Sequence, residues 1–382
     1  VYLLGPEANR FVLSNSELFG WREAFDSLVV VDGETALIVS EGPDHQRRRR
    51  LVAPAFGRHQ VQSYVQTMRA NADAAIATWR PGQLVNLYDE MRRVIRRSTI
   101  EVLFGSRLAQ DEPELGKLLQ RALDVIERPP PWQQLQRLGA PSWRRAVAAR
   151  AIAARRVLDE IEHRRTESDR SGVLSFLVGS RDEDDLGLTD EEIVDQVISL
   201  IAAGYHTTSA AMASATLALL TVPQRWDQAT ASLDDGEGWR YLDGVVSETL
   251  RLYPPAVVSA RWVIEPFQFA GVKIPAGRML LFSPYVTHRM PELWSDPLQF
   301  DPSRWNPLCP GYRRPAPYEY LPFGGGPHRC LGAELATAEL TVLLEQLLRR
   351  ATLRLESADP TPVGLAAMRP RRGPHARVLA IT

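Results

Sequence analysis

From Val61 to Trp79 apolar side chains recur with a helical period, at Val61, Tyr64, Val65, Met68, Ala72, Ala75, Ile76 and Trp79, and they predict an amphipathic helix with one buried face. Ser142 to Glu167 reads as a long, basic, alanine-rich surface helix, and the run Pro129 to Pro131 is expected to break the chain before it. A different pattern starts at Thr189-Asp-Glu-Glu192. There the threonine hydroxyl and the glutamate carboxylate can each satisfy the other residue's backbone N–H, which marks the first turn of a helix. Roughly thirty residues of helix should follow. Short β segments are expected from Arg261 to Ile274, with a turn at Ala276-Gly277, and at both ends of roughly the last thirty residues. Four prolines and a glycine between Asn306 and Pro317 predict a meandering loop. Together these patterns describe a mainly α chain with a small β region.

The helix after Thr189 carries almost no charge, since from Val197 to Val222 only His206 could be ionised. That length would suit a membrane span. Its centre would not: Gly204, Tyr205, His206, Thr207, Thr208 and Ser209 would put a polar cluster at the bilayer midplane. A helix apolar on nearly every side is also what the middle of a large globular protein requires. No transmembrane segment is therefore expected. The 382 residues, 45% of them hydrophobic, can bury a large core. With no linker or repeat in view, 1–382 reads as a single domain.

The chain opens at Val1 rather than methionine, so residues are expected upstream, and there is no basic-then-apolar leader. The net charge of −1 conceals an unbroken run Arg47 to Arg50, a cluster Arg92, Arg93, Arg96 and Arg97, and an acidic loop Asp182 to Asp185. No uniform basic footprint appears, which argues against a nucleic-acid partner. Two cysteines argue against a disulfide framework and for a reducing, cytoplasmic compartment.

One of those cysteines lies in Phe323-Gly-Gly-Gly-Pro-His-Arg-Cys330-Leu-Gly332, behind a glycine loop and before an amphipathic helix. A helix N-terminus stabilises a thiolate, the form that binds metal. Zinc wants four ligands, whereas one axial thiolate is enough for haem iron. The plainer alternative is a small buried hydrophobe. Phe323, Gly326, His328, Cys330 and Gly332 match Phe-x-x-Gly-x-(Arg/His)-x-Cys-x-Gly, and the segment resembles the haem-binding signature of the cytochrome P450 family. The resemblance runs along nearly the whole chain. It implies the cytochrome P450 fold, with a long central helix crossing the haem, and haem b (iron protoporphyrin IX) held by the Cys330 thiolate.

Other segments fit the same family. Glu248-x-x-Arg251, taken alone, could be a solvated pair worth a few tenths of a kcal/mol. Followed by Tyr253-Pro254-Pro255 and by Phe300-Asp-Pro-Ser-Arg304-Trp305, it resembles the family's buried Glu–Arg–Arg network. His45 and Arg49, Arg261 and His328 stand at positions that in the family bind the haem propionates, while Arg47, Arg48 and Arg50 read as a solvated basic face. Ala203-Gly204-Tyr-His206-Thr207-Thr208 resembles the segment over the distal face of the haem. Glycine and a back-bonding threonine can open the helix there into a groove for O₂. The resemblance implies that Thr207 guides protons to bound oxygen. His206 replaces the usual acid, either as a proton relay or with its ring turned away to a backbone partner. Ala203, Ala256, Val257, Val258, Ala366 and Ala367 are expected to line an apolar pocket, with parts of Phe25 to Val39 and a lid around Pro129 to Ala140, unless these alanines are simple packing.

The resemblance thus implies a bacterial-type monooxygenase that takes a hydrophobic small molecule, a lipid, terpenoid or polyketide, together with O₂. Without a flavin or iron–sulfur module in the chain, electrons are expected from ferredoxin and an NAD(P)H-dependent ferredoxin reductase, docking near Arg47, Arg48 and Arg329. A peroxide-using haem-thiolate enzyme or isomerase, and a non-catalytic haem sensor, are the alternatives.

Overall fold

The central helix spans Asp190–Thr221 and starts as its sequence requires. Glu192 N–H donates to Thr189 Oγ1 at 3.2 Å, and Thr189 N–H donates to Glu192 Oε2 at 3.0 Å. The computed structural model describes residues 1–126, 130–166, 172–234, 240–364 and 367–382. Around the central helix pack the helices Leu87–Phe104, Pro141–Thr166, Tyr241–Leu252 and Ala333–Arg350. Their apolar faces join one core, so a helix apolar all round finds partners on every side. No helix among the described residues is long and apolar enough to cross a membrane.

The helical stripe becomes Arg58–Ile76, with Val61, Tyr64, Met68, Ala72 and Ile76 buried and Trp79 buried just beyond its end. The basic helix runs Pro141–Thr166, and its expected last residue, Glu167, lies outside the described residues. The proline run stands between two helices, Glu112–Ile126 and Pro130–Arg137, and does more than separate them. Pro130 and Pro131 open a helix, Pro130–Arg137, because a first turn has no use for those N–H groups. Pro129 lies outside the described residues. The lid region is therefore largely helical, with Trp132, Leu135 and Leu138 exposed.

The strands of the described residues form three small sheets. Strands β1 (Tyr2–Leu3), β2 (Phe19–Gly20), β4 (Ser259–Val263) and β7 (Met279–Phe282) form one sheet in the order β1-β7-β4-β2. A second sheet joins β3 (Leu84–Asn86) to β9 (Arg369–Ile381) and β8 (Ala351–Val363), and β5 (Phe267–Phe269) pairs with β6 (Val272–Ile274). The expected turn before β7 has Gly277 at φ 74°. No helix or strand interrupts Asn306 to Pro317.

One face of the central helix, Glu192, Asp195, Gln196 and Ser199, fastens the segment that precedes the Arg47 run. Thr35 N–H and Oγ1 donate to Asp195 Oδ2 at 2.9 and 2.8 Å, and Leu37 N–H donates to Gln196 Oε1 at 2.9 Å. Arg150 pairs with the other Asp195 oxygen. Gly33, at φ 90°, lies so close to this ion pair that a Cβ would collide with both partners. Beneath it, Asp32 is buried, and burial raises its pKa to about 7 against the pull of Ser199 and Arg150, with Asp195 adding to the rise.

In the unfolded chain Asp32 ionises near its ordinary value of 3.8, so the folded protein keeps a proton that the unfolded one loses. Stability should fall as pH rises from about 4 to about 7 and then level, by a few kcal/mol at most. Asp32→Asn should remove that slope. Thermal melts of both proteins across the window check it, and a pH-independent difference in Tm would exclude Asp32.

Candidate active site

The cysteine loop is closed by one backbone bond, Cys330 N–H to Phe323 O at 2.9 Å. Gly326, at φ 67°, has Leu13 O so near that a Cβ would stand 3.2 Å from it, so both backbone and space favour glycine. Immediately after the loop, Gly332 caps the helix Ala333–Arg350, and a Cβ on Gly332 would meet nothing within 4 Å. Cys330 is accessible yet lies deep among protein atoms. Burial pushes its thiol pKa up, opposed by the Gly332 N–H, Arg329 and Arg49. A bound metal cation reverses that balance, because coordination deprotonates a thiol.

Beside the loop stand the four residues expected to hold carboxylates. The rings of His45 and His328 lie 4.0 Å apart between centroids. Arg49 donates to Arg329 O at 2.8 Å, which ties its helix, Gly42–Val52, to the cysteine loop. Arg261 is buried, and among the described residues it hydrogen-bonds only neutral oxygens, Ser259 Oγ at 3.1 Å and Ala260 O at 2.7 Å. Burial lowers its pKa to about 10. His45 is lowered to about 4 by burial, Arg49 and Arg48, and His328 to about 2 by burial, His45, Arg261 and Arg49. Both imidazoles are therefore neutral near pH 7, and the two guanidiniums supply the positive charge. No carboxylate among the described residues forms an ion pair with Arg49 or Arg261. Such an uncompensated cluster beside a lone cysteine fits a flat iron ligand bearing two carboxylates.

The central helix offers a third surface. Leu200, Ala203, Gly204 and Thr207 are accessible within a stretch otherwise buried from Glu192 to Thr216. Their i, i+3, i+4, i+7 spacing is one face. Thr207 Oγ1 donates to Ala203 O at 2.7 Å, so the back-bond expected of threonine is present, but the helix continues unbroken through it. Gly204 would tolerate a Cβ, whose nearest neighbour would be Thr99 Cγ2 at 3.5 Å. His206 stands off this stripe and is buried, its ring 5.9 Å from that of Tyr205. Burial, Arg92 and Arg369 bring its pKa to about 4, with Asp124 opposing them.

Behind the site, Glu248 and Arg251 are fully buried and meet through two bonds of 2.8 Å. Arg304 approaches Glu248 Oε1 at 3.4 Å, Asp301 N–H donates to that oxygen at 3.0 Å, and Trp305 Nε1 donates to Oε2 at 2.9 Å. His288 extends this network. Leu321 N–H donates to its Nε2 at 2.8 Å, so Nδ1 carries the proton, 3.1 Å from Arg251 O. Burial holds its pKa near 3, which keeps the ring neutral. Leu321 is two residues before Phe323, so His288 joins the glutamate–arginine pair to the cysteine loop. A single histidine after an apolar strand gives no sequence signal for that role.

The expected pocket residues separate. Val257 and Val258 line a cleft of about 410 Å³ with Tyr2, Leu4, Val286 and Met368. Ala203 and Ala256 are exposed, Ala366 lies outside the described residues, and Ala367 has no accessible surface, so it sits behind any lining. Arg47 and Arg48 also depart from expectation. Arg47 pairs with Glu192 at 3.0 Å and Asp182 at 3.4 Å, and Arg48 with Glu192 at 2.8 Å. The acid at the start of the central helix draws them inward, leaving Arg50 and Arg329 exposed.

The family described as Cytochrome P450 matches residues 1–372 of this chain. The chain is 48% identical over 388 residues to a putative cytochrome P450 139 of Mycobacterium tuberculosis, across 97% of this chain and 90% of that protein. It is 32% identical to the cyclooctat-9-en-7-ol 5-monooxygenase of Streptomyces melanosporofaciens, across 91% of this chain and 79% of that one. Pentalenene oxygenase of Streptomyces avermitilis is likewise 32% identical, across 96% and 85%. Among solved structures, a cyanobacterial CYP120A1 with bound retinoic acid superposes with a TM-score of 0.88 at 25% identity, across 99% of this chain and 88% of that chain.

Proposed function

Because the chain belongs to the cytochrome P450 family, we propose that residues 1–382 form one haem domain that oxidises a hydrophobic small molecule, with a terpenoid the favoured class. The observation that carries this reading is the accessible Cys330 beside two buried or half-buried guanidiniums, Arg49 and Arg261, that have no carboxylate partner among the described residues. When bound through Cys330, haem b would supply the activation of O₂ that lets one oxygen atom enter a C–H bond. The residues do the rest: Arg49 and Arg261, with neutral His45 and His328, hold the two propionates, and Phe323, Gly326 and Gly332 shape the loop around the ligand cysteine. Thr207 presents its hydroxyl on the accessible stripe, where it can hold a proton near bound oxygen. Two relatives whose names specify a terpenoid skeleton support the substrate class.

Electrons would come from a ferredoxin and its NAD(P)H-dependent reductase. Exposed Arg329, inside the cysteine loop, and exposed Arg50, next in sequence to the Arg49 that bonds Arg329 O, suit an acidic partner better than the internally paired Arg47 and Arg48. Two free thiols fit a cytoplasmic setting.

The test is reconstitution. A panel of cyclic terpenes is first screened for displacement of iron-bound water by the Soret shift, and binders are then offered with NADPH, reductase, ferredoxin and O₂. Product with peroxide alone, and none with O₂ and the electron donors, would overturn the monooxygenase reading. In the same assay His206→Ala should raise peroxide release and the solvent isotope effect and slow turnover, by about 10²-fold if the ring passes protons to the Thr207 region. With a pKa near 4, His206 stays neutral, so turnover should show no inflection near pH 6.5 from this residue. Unchanged coupling in His206→Ala would leave the ring a packing role only.

A further inference from the structure

The cradle of His45, Arg49, Arg261 and His328 is held from one side by an indole that none of the motifs includes. Trp21 follows β2, whose Gly20 is registered opposite Trp262 in β4, so the antiparallel run brings Trp21 opposite Arg261. The Arg261 Cζ lies 4.3 Å from the Trp21 ring centroid. His328 stacks on the same indole with centroids 3.7 Å apart and planes within 3°. Phe25 packs against it as well, at 4.4 Å. The indole itself is pinned: its Nε1–H donates to Ile38 O at 2.8 Å, and the backbone N–H groups of Trp21 and Arg22 donate to Glu41 Oε2 at 2.7 and 3.0 Å.

We propose that Trp21 is a positioning residue for the propionate cradle, presenting Arg261 and His328 to the haem carboxylates and fastening both to the 21–41 segment. This rests on the haem reading above. The physical reason is preorganisation. A guanidinium with no carboxylate partner among its bonds would otherwise sample many rotamers and keep more water, and both would have to be given up when a carboxylate arrives. The indole face fixes the cation by its ring quadrupole and excludes water from one side, which strengthens the later ion pair. Stacking fixes the plane of His328 in the same step. The segment from Trp21 to Glu41 also reaches the central helix through Thr35 and Leu37, so the indole links Arg261 and His328 to a segment that is itself anchored.

The experiment measures haem transfer from purified holoprotein to excess apomyoglobin, a readout that needs no turnover. Trp21→Ala should lose haem about tenfold faster, equivalent to about 1.4 kcal/mol, whereas Trp21→Phe, which keeps a ring, should stay within about threefold. Trp21→Leu, which keeps apolar volume without a ring, should resemble alanine and serves if the alanine protein does not fold. Arg261→Gln is then combined with Trp21→Ala. If the indole acts through Arg261, the tryptophan change should add clearly less in that background than in the wild type. Wild-type transfer rates in Trp21→Ala and Trp21→Leu, or fully multiplicative effects in the double variant, would overturn the proposal. Failure of the haem reading itself is separate, since the wild-type protein would then lack a thiolate-ligated haem spectrum before any variant is made.

Discussion

Cys330→Ser is expected to abolish the red-shifted Soret band of the reduced carbon monoxide complex and to lower turnover by at least about a thousandfold, on the order of 4 kcal/mol. Serine is nearly isosteric, so the loop should still close through the backbone bond from residue 330 to Phe323 O. What changes is the charge the iron meets. The Gly332 N–H, Arg329 and Arg49 all favour an anion on Cys330, against burial, and a thiol yields that anion on coordination whereas an alcohol does so far less readily. The second cysteine supplies the control. Cys309 is half-buried in the proline-rich loop, where its N–H donates to Asn306 O at 3.1 Å and its carbonyl accepts from Tyr312 N–H at 3.1 Å. Those bonds use only its backbone, so Cys309→Ser should keep both the band and activity. A band that survives in Cys330→Ser and disappears in Cys309→Ser would reverse the assignment.

Features set by neighbours in sequence are the ones legible from the chain alone. The Thr189–Glu192 box, the Arg58–Ile76 stripe and the glycine loop before Cys330 each depend on residues within a few turns. Glu248 and Arg251 can be paired from their spacing, but their burial cannot be read there, because it depends on Asp301, Trp305 and His288 arriving from later in the chain. Trp21 and His288 leave no local signal for the same reason: each works through a ring whose partners are distant in sequence. The arginine run misleads in the other direction. Arg47, Arg48 and Arg50 read as a solvated face, yet Arg47 and Arg48 reach Glu192, an acid whose nearness appears only when the central helix is in place. Proline at 130 and 131 reads as a stop, although the same missing N–H suits a helix start equally well.

Glu248→Ala is expected to cost about 3–5 kcal/mol, because removing one partner leaves the other charge buried without compensation. Against a typical total stability of about 5–15 kcal/mol, that is enough to put haem-loaded folding at risk. Arg251 could not relax to solvent: its remaining bonds are to the carbonyls of His288, Pro297 and Gln299, at 2.7, 2.8 and 3.1 Å, none of them charged. The damage should also travel. His288 Nδ1 meets Arg251 O and its Nε2 accepts Leu321 N–H, so a shifted Arg251 disturbs the chain just before Phe323 and the ligand loop. Glu248→Gln keeps the shape and one acceptor oxygen but loses the charge, and should fall between alanine and wild type. Arg304→Ala should be milder than either, because that arginine is partly exposed and meets Glu248 only at 3.4 Å. Haem-to-protein absorbance ratio and Tm, measured on the three variants expressed alike, give the ranking. Glu248→Ala with full haem content and a Tm within about 1 °C of wild type, less than about 1 kcal/mol for a chain of this length, would show that the network does not hold the site.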